Sequence, residues 1–123
     1  MMELKTLPQR LSVCKLAPGA EIPTDLPLYF VGRTDEELSL VCPTERVPER
    51  TIARDDGWRA FRIQGVLDFS LIGILSRLSA ILAEHEIGIF AVSTYNTDYI
   101  LTREAQFDRA LACLAAAGYT VTE

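Results

Sequence analysis

The sequence predicts an α+β fold in which two helices cover one face of an antiparallel sheet. Three observations carry this. Residues Gly65 to Leu101 read without a gap as loop, helix, strand, turn and strand. A second amphipathic segment and a short strand close the chain. The first half, by contrast, holds strand patterns and no long helix.

Taken in order, Leu11-Ser12-Val13-Cys14-Lys15-Leu16 alternates apolar and polar side chains, the period of a half-buried strand. Ala17-Pro18-Gly19-Ala20 ends it, and Pro23 and Pro27 impose an irregular connection. Leu28 to Gly32 is a second strand, Arg33 to Glu36 a turn, and Glu37 to Cys42 a third strand stopped by Pro43. Glu45 to Gly57 is polar and carries Pro48 and Asp55-Asp56-Gly57, so it reads as a linker ending in a turn.

The second half opens on Arg59 to Gly65, the end of a strand, and a loop at Val66 to Ser70. Leu71, Ile74, Leu75, Leu78, Ile81 and Leu82 then recur at the spacing of one buried helical face. Gly88 breaks that helix, Ile89 to Thr94 is a short apolar strand, Tyr95 to Asp98 a turn, and Tyr99 to Leu101 the returning strand. The second helix spans Arg103 to Ala117, with Thr102 as its N-cap, Glu104 at its positive end and Gly118 as its stop. Phe107, Leu111 and Leu114 form its apolar stripe, and Tyr119 to Thr122 is the last strand. Counted from Trp58 the order is βαββαβ, the split-βαβ or ferredoxin-like arrangement. The strand, link, strand, turn and strand of residues 11–42 echo it with the helix reduced. The sequence therefore predicts a degenerate first copy over 1–57 and a complete second copy over 58–123.

Composition narrows the function. The chain has 123 residues, 49% of them apolar, and a net charge of −5. That is enough apolar side chain for a core, and too little positive charge for nucleic acid, whose binding needs a basic stripe. Met1 to Thr6 is charged and has no apolar stretch typical of a leader, and the first helix is amphipathic, so a soluble, cytoplasmic protein is expected. Cys14, Cys42 and Cys113 are scattered, and the single histidine, His85, lies near none of them. Neither a zinc site nor a disulfide framework is expected, and no cofactor. Nucleophile elbows, Walker A loops and dinucleotide fingerprints are absent, so the chain reads as a non-enzyme.

The residues that invite a ligand gather around the first helix. Its first-turn amides, near Asp68 or Ser70, lack intrahelical partners and attract a carboxylate. Gly73 is placed within that turn, where a missing side chain serves either close packing or a close-lying ligand. Asp68 is either a helix cap or a partner for a cation. Asp98 is either an ordinary turn residue or a carboxylate for an ammonium or guanidinium group.

The stretch GVLDFSLIGILSRLSAILAEHEIGIFAVSTYNTDYIL, in this order and spacing, resembles the ACT domains of aspartate kinases and of the cytosolic arginine sensors of the CASTOR type. The likeness runs from residue 11 to 122 and is strongest from 61 to 119; Glu37 to Cys42 resembles a strand of the same sensors. It implies a regulatory module that stands free of any catalytic domain, binds a small effector such as an amino acid where two ACT units meet, and forms a homodimer. It also implies a ligand-binding set of Ser39, Leu40, Asp68, Phe69, Ser70, Gly73, Thr94, Tyr95 and Asp98. A module used only for oligomerisation or docking is the other reading open to the same fold.

Overall fold

The computed structural model describes residues 2–65 and 72–123, so the expected loop at Val66 to Ser70, with Asp68, Phe69 and Ser70, and the proposed helix start at Leu71 lie outside the described residues. The described chain has eight strands and two α-helices: β1 (Glu3–Thr6), β2 (Leu11–Leu16), β3 (Phe30–Arg33), β4 (Leu38–Pro43), β5 (Ala53–Ile63), α1 (Ile74–Glu84), β6 (Phe90–Ser93), β7 (Asp98–Arg103), α2 (Glu104–Ala116) and β8 (Thr120–Thr122). The α+β class and the βαββαβ order from β5 to β8 are as the sequence predicts. Two compact units form, Gln9–Trp58 and Met1–Pro8 with Arg59–Glu123, and β5 supplies a strand to each.

The smaller unit orders its strands β3-β4-β2-β5, all neighbours antiparallel. Cys14, Leu16, Leu26, Leu38, Leu40 and Cys42 form its core, with Ile22 and Tyr29 packed on them. Burial pushes the Cys42 thiol up to about 11 and raises that of Cys14, which holds both in the protonated form near neutral pH. All three cysteines are free.

The expected linker is corrected here: its last residues belong to β5, which runs straight through Asp55-Asp56-Gly57. Leu11 pairs with Trp58 but Val13 with Asp55, so β5 carries one residue more than β2. That is a β-bulge, and Gly57 at φ +88° adopts the left-handed conformation a bulge uses as readily as a turn does. At the bulge the Ser12 hydroxyl donates to Asp56 at 2.6 Å and lies 2.9 Å from the Thr44 hydroxyl. Arg54 holds the same carboxylate from 3.1 Å. These bonds, that of Ser12 first, keep the Asp56 carboxyl below its usual range.

In the larger unit the strands run β6-β7-β5-β1-β8. The sequence assigned no strand before Leu11, yet β1 lies between β5 and β8, antiparallel to the first and parallel to the second. Leu4 is wholly buried and opposes both Ile63 and Val121. Both helices pack on this sheet: Leu78 and Leu82 of α1 and Phe107, Ala110 and Leu114 of α2 join Leu4, Phe61, Ile63 and Ile100 in one core. Ala110 thus takes the buried place expected of Leu111, which is only partly covered.

Helix ends differ from the sequence reading in informative ways. Thr102 is buried inside β7, and Arg103 is the residue before α2. At the far end of α2 the Gly118 amide bonds Ala115 and the Tyr119 amide bonds Leu114, a Schellman motif with Gly118 left-handed as expected. Helix α1 ends the same way: Glu86 donates to Ala83 and Ile87 to Leu82. Its left-handed residue is Glu86, at φ +59°, and not Gly88. Ile87, buried behind it, supplies the apolar contact that holds the turn.

Candidate functional site

A cavity of about 410 Å³ opens in the larger unit where the start of α1 meets the end of α2. Gly73, Ile74 and Arg77 form one wall, Ala117, Gly118 and Tyr119 the other, and Met2 and Ile72 complete the lining. The volume lies within the roughly 300–1,000 Å³ usual for small-molecule sites.

Sequence and topology place each wall. Gly73 precedes α1 as its N-cap with φ +81°, rather than lying inside the first turn. Among the described residues no heavy atom lies within 4 Å of where its Cβ would stand, so the backbone, and not a tight contact, requires glycine here. A glycine has no side chain to cap a helix, and the first turn of α1 contains no acidic residue. The first backbone bond of the helix is from the Arg77 amide to the Gly73 carbonyl, at 2.9 Å. The preceding amides, of Ile74 to Ser76, have no intrahelical acceptor, which gives this end of α1 a partial positive charge. Arg77, one turn on and exposed, adds a full one.

The opposite wall is the C-terminal end of α2, with the opposite polarity. The Schellman motif fixes Gly118 and Tyr119 against Ala115 and Leu114. Beyond it the Thr120 amide donates to the Met2 carbonyl at 3.0 Å, which brings the chain's first residues to the cavity. The rest of the lining is apolar: Met2, Ile74 and Tyr119 are half-buried, whereas Ile72 is 95% exposed. No acidic side chain is among the described residues of the lining.

Of the ligand-binding set that the resemblance implies, Gly73 alone among the described members lines this cavity. Thr94, Tyr95 and Asp98 come together in the β6–β7 hairpin. The turn occupies Thr94 to Thr97, one residue earlier than expected, and Asp98 is the first residue of β7, paired with Ser93. The Thr94 amide and hydroxyl both donate to the Thr97 carbonyl at 2.9 Å. Thr97 is buried and its hydroxyl donates to the Ile63 carbonyl at 2.7 Å, anchoring the turn to β5. Tyr95, at the tip, is 79% exposed. Ser39 and Leu40 lie on β4 of the smaller unit: the Ser39 hydroxyl donates to Glu37 at 2.7 Å, and Leu40 is buried in that unit's core. Arg77, Met2, Ile72 and Tyr119 carry no motif. Only the meeting of two helix ends marks them.

A βαββαβ unit with both helices on one core defines the ferredoxin-like class of small α+β modules. The ACT domain family matches residues 53–116, and the chain belongs to that family. A solved structure, the protein Atu0741 from Agobacterium tumefaciens, is similar over 98% of this chain and 91% of its own, with 32% identity and a TM-score of 0.86. The protein VC0802 from Vibrio cholerae, described as a possible transport protein of unknown function, shares the fold over 94% of this chain and 88% of its own (TM-score 0.70, 19% identity). Aspartate kinase from Synechocystis shares it over 98% of this chain and 27% of the kinase, with a TM-score of 0.65 and 14% identity. No curated protein matches the sequence. Among the described residues no helix is long and apolar enough to cross a membrane, and no group of three metal-ligating side chains exists.

Proposed function

We propose that the chain is a regulatory ACT module that binds a small effector, an amino acid, and catalyses no reaction. The cavity beside Gly73 carries this reading. It offers a zwitterion a positive wall and a negative one, at a size that suits it. Asp98, Thr94 and Tyr95 do not line the cavity of their own chain. In this reading they meet the effector from a second copy, as does Ser39, whereas Leu40, wholly buried and paired on both sides, makes no such contact, and the chain works as a cytoplasmic homodimer with two-fold symmetry. This is in keeping with one aspartate kinase that shares the fold, that of Clostridium acetobutylicum, which is described as an allosteric enzyme. Asp68, Phe69 and Ser70, which lie outside the described residues, belong to the same proposed set.

A thermal-shift screen over the twenty amino acids tests the proposal. A ligand that binds only the folded state raises Tm by mass action, so one amino acid, or one chemical group of them, is expected to stand out. No shift with any of them removes the reading. Light scattering that shows a strict monomer at micromolar concentration removes the homodimer.

A specific feature favours a docking role as the second reading. Among the described residues strand β6 has one strand partner, β7, and Phe90 and Ala91 are exposed along its length. An apolar edge without proline or charge is open to pairing with another chain.

A further inference from the structure

We propose that residues 17–29 form a strap that opens as one piece while the sheet of the smaller unit stays folded, and that its opening admits small electrophiles to the thiols of Cys14 and Cys42. The device lies within Gln9–Trp58 and uses no residue of the effector cavity.

The sequence explains why this segment has little structure of its own. In the larger unit α1 connects β5 to β6, and a helix satisfies its own backbone. Ala17 to Tyr29 connects β2 to β3 instead, with Pro18, Pro23 and Pro27 along its length. Each proline removes a donor, and at this spacing no run is left for a helix. One backbone–backbone hydrogen bond lies within the segment, from the Ala20 amide to the Ala17 carbonyl at 3.0 Å. Its polar tethers to the rest of the unit are exposed. Arg33 Nη1 donates to the Pro18 carbonyl at 3.0 Å, and Arg46 Nη2 donates to both Asp25 oxygens, each at 3.0 Å. Such bonds contribute little, because water replaces them.

What holds the strap is apolar and local. Leu26 is its one buried side chain, and it joins Cys14, Leu16, Leu38, Leu40 and Cys42 in the core of the unit. Ala20, Ile22 and Tyr29 pack on that core and stay half-buried. The sheet is held without them: β2 pairs with β4 from Leu11 to Leu16, and β4 in turn carries β3. A segment with few buried apolar contacts and solvent-exposed hydrogen bonds opens at lower free energy than the paired strands it packs on. Cys14 and Cys42, 2% and 0% exposed, stand on neighbouring strands in the cluster that Leu26 closes. Closed, the strap denies a reagent both a path and a thiolate, since burial holds the Cys42 thiol up at about 11. Open, it relieves that desolvation and supplies both.

The test is labelling of the full chain with iodoacetamide across a urea series, on the native protein, Arg46→Gln and Leu26→Ala, with each cysteine followed by peptide mass spectrometry. The thiolate sulfur bonds the acetamide carbon and displaces iodide, so each event is permanent and assigned to its site. Cys113, on α2 and partly exposed, is the internal reference. Opening of the strap uncovers little surface, so labelling of Cys14 and Cys42 is expected to be nearly independent of urea well below the global transition. Leu26→Ala is expected to raise that plateau about tenfold or more, and Arg46→Gln about twofold to fivefold, with Cys113 unchanged. Three results overturn the proposal: labelling of the two thiols that rises with urea at the full slope of global unfolding, no labelling of one or the other below the transition, or a plateau that neither substitution moves. Should Leu26→Ala fail to fold, the native protein and Arg46→Gln still decide it.

Discussion

The Ser93 hydroxyl donates to the Asp98 carboxylate at 2.6 Å, across the first residue pair of the β6–β7 ladder. Asp98 thus has a structural partner within its own hairpin and, on the proposed reading, a ligand as well. The substitution Asp98→Asn separates these. Asparagine keeps an oxygen for Ser93 and the shape of the side chain, so the stability of the unit is expected to stay within about 0.5 kcal/mol. It removes the charge, and effector affinity is expected to fall by about tenfold to a hundredfold. Calorimetry of both proteins decides it, and equal affinities remove the ion pair.

Gly73 provides a stability test and a binding test. At φ +81° an alanine pays the strain of the left-handed region although no neighbour obstructs it. Gly73→Ala is therefore expected to lose about 1–2 kcal/mol in urea denaturation. Gly73→Val is expected to fold and to bind no effector, because its branched side chain projects at the cavity wall. Undiminished binding by the valine variant places the site elsewhere.

Glu86 makes the opposite prediction. It occupies the left-handed stop of α1, a position where glycine is free of strain. Glu86→Gly is expected to stabilise the protein by up to about 1 kcal/mol, read as a rise in Tm. A fall in Tm shows that the glutamate side chain contributes more than its backbone strain removes.

The Ser12–Asp56 bond predicts a pH dependence. A carboxyl held below its unfolded value binds its proton less readily when folded, so its contribution is present above about pH 3.9 and is lost as pH falls through the folded value. Stability is expected to decline in that acidic window, and Ser12→Ala to flatten the decline. Acid titrations of the two proteins in urea measure the difference. Parallel curves show that Arg54 alone holds the carboxylate.

Where long periodic segments exist, the chain is legible. The α1 spacing of Ile74, Leu75, Leu78, Ile81 and Leu82 predicts the face that packs on the core, and β2 and α2 are as plain. Short or two-valued signals are not. Strand β1 has four residues and one buried leucine, too few to show a period. Asp55-Asp56-Gly57 has the composition of a turn, but the left-handed glycine serves a bulge, and only the register against β2 distinguishes the two. The site is half legible for a related reason. Gly73 is visible as a glycine beside a helical pattern, whereas Arg77 reads as an ordinary solvated cation until the end of α2 is seen opposite it.

Of the described strands, β1 is made before the others and completes its pairing after them. Its neighbours are β5, more than fifty residues later, and β8, where the Thr122 hydroxyl reaches the Leu4 carbonyl across 118 positions of sequence. Contacts this distant in sequence form slowly and late. Until residues 120–122 have left the ribosome, Leu4 lacks Val121 and Met2 lacks Thr120. A nascent chain therefore has no finished cavity before β8 has emerged, whatever the state of its helices.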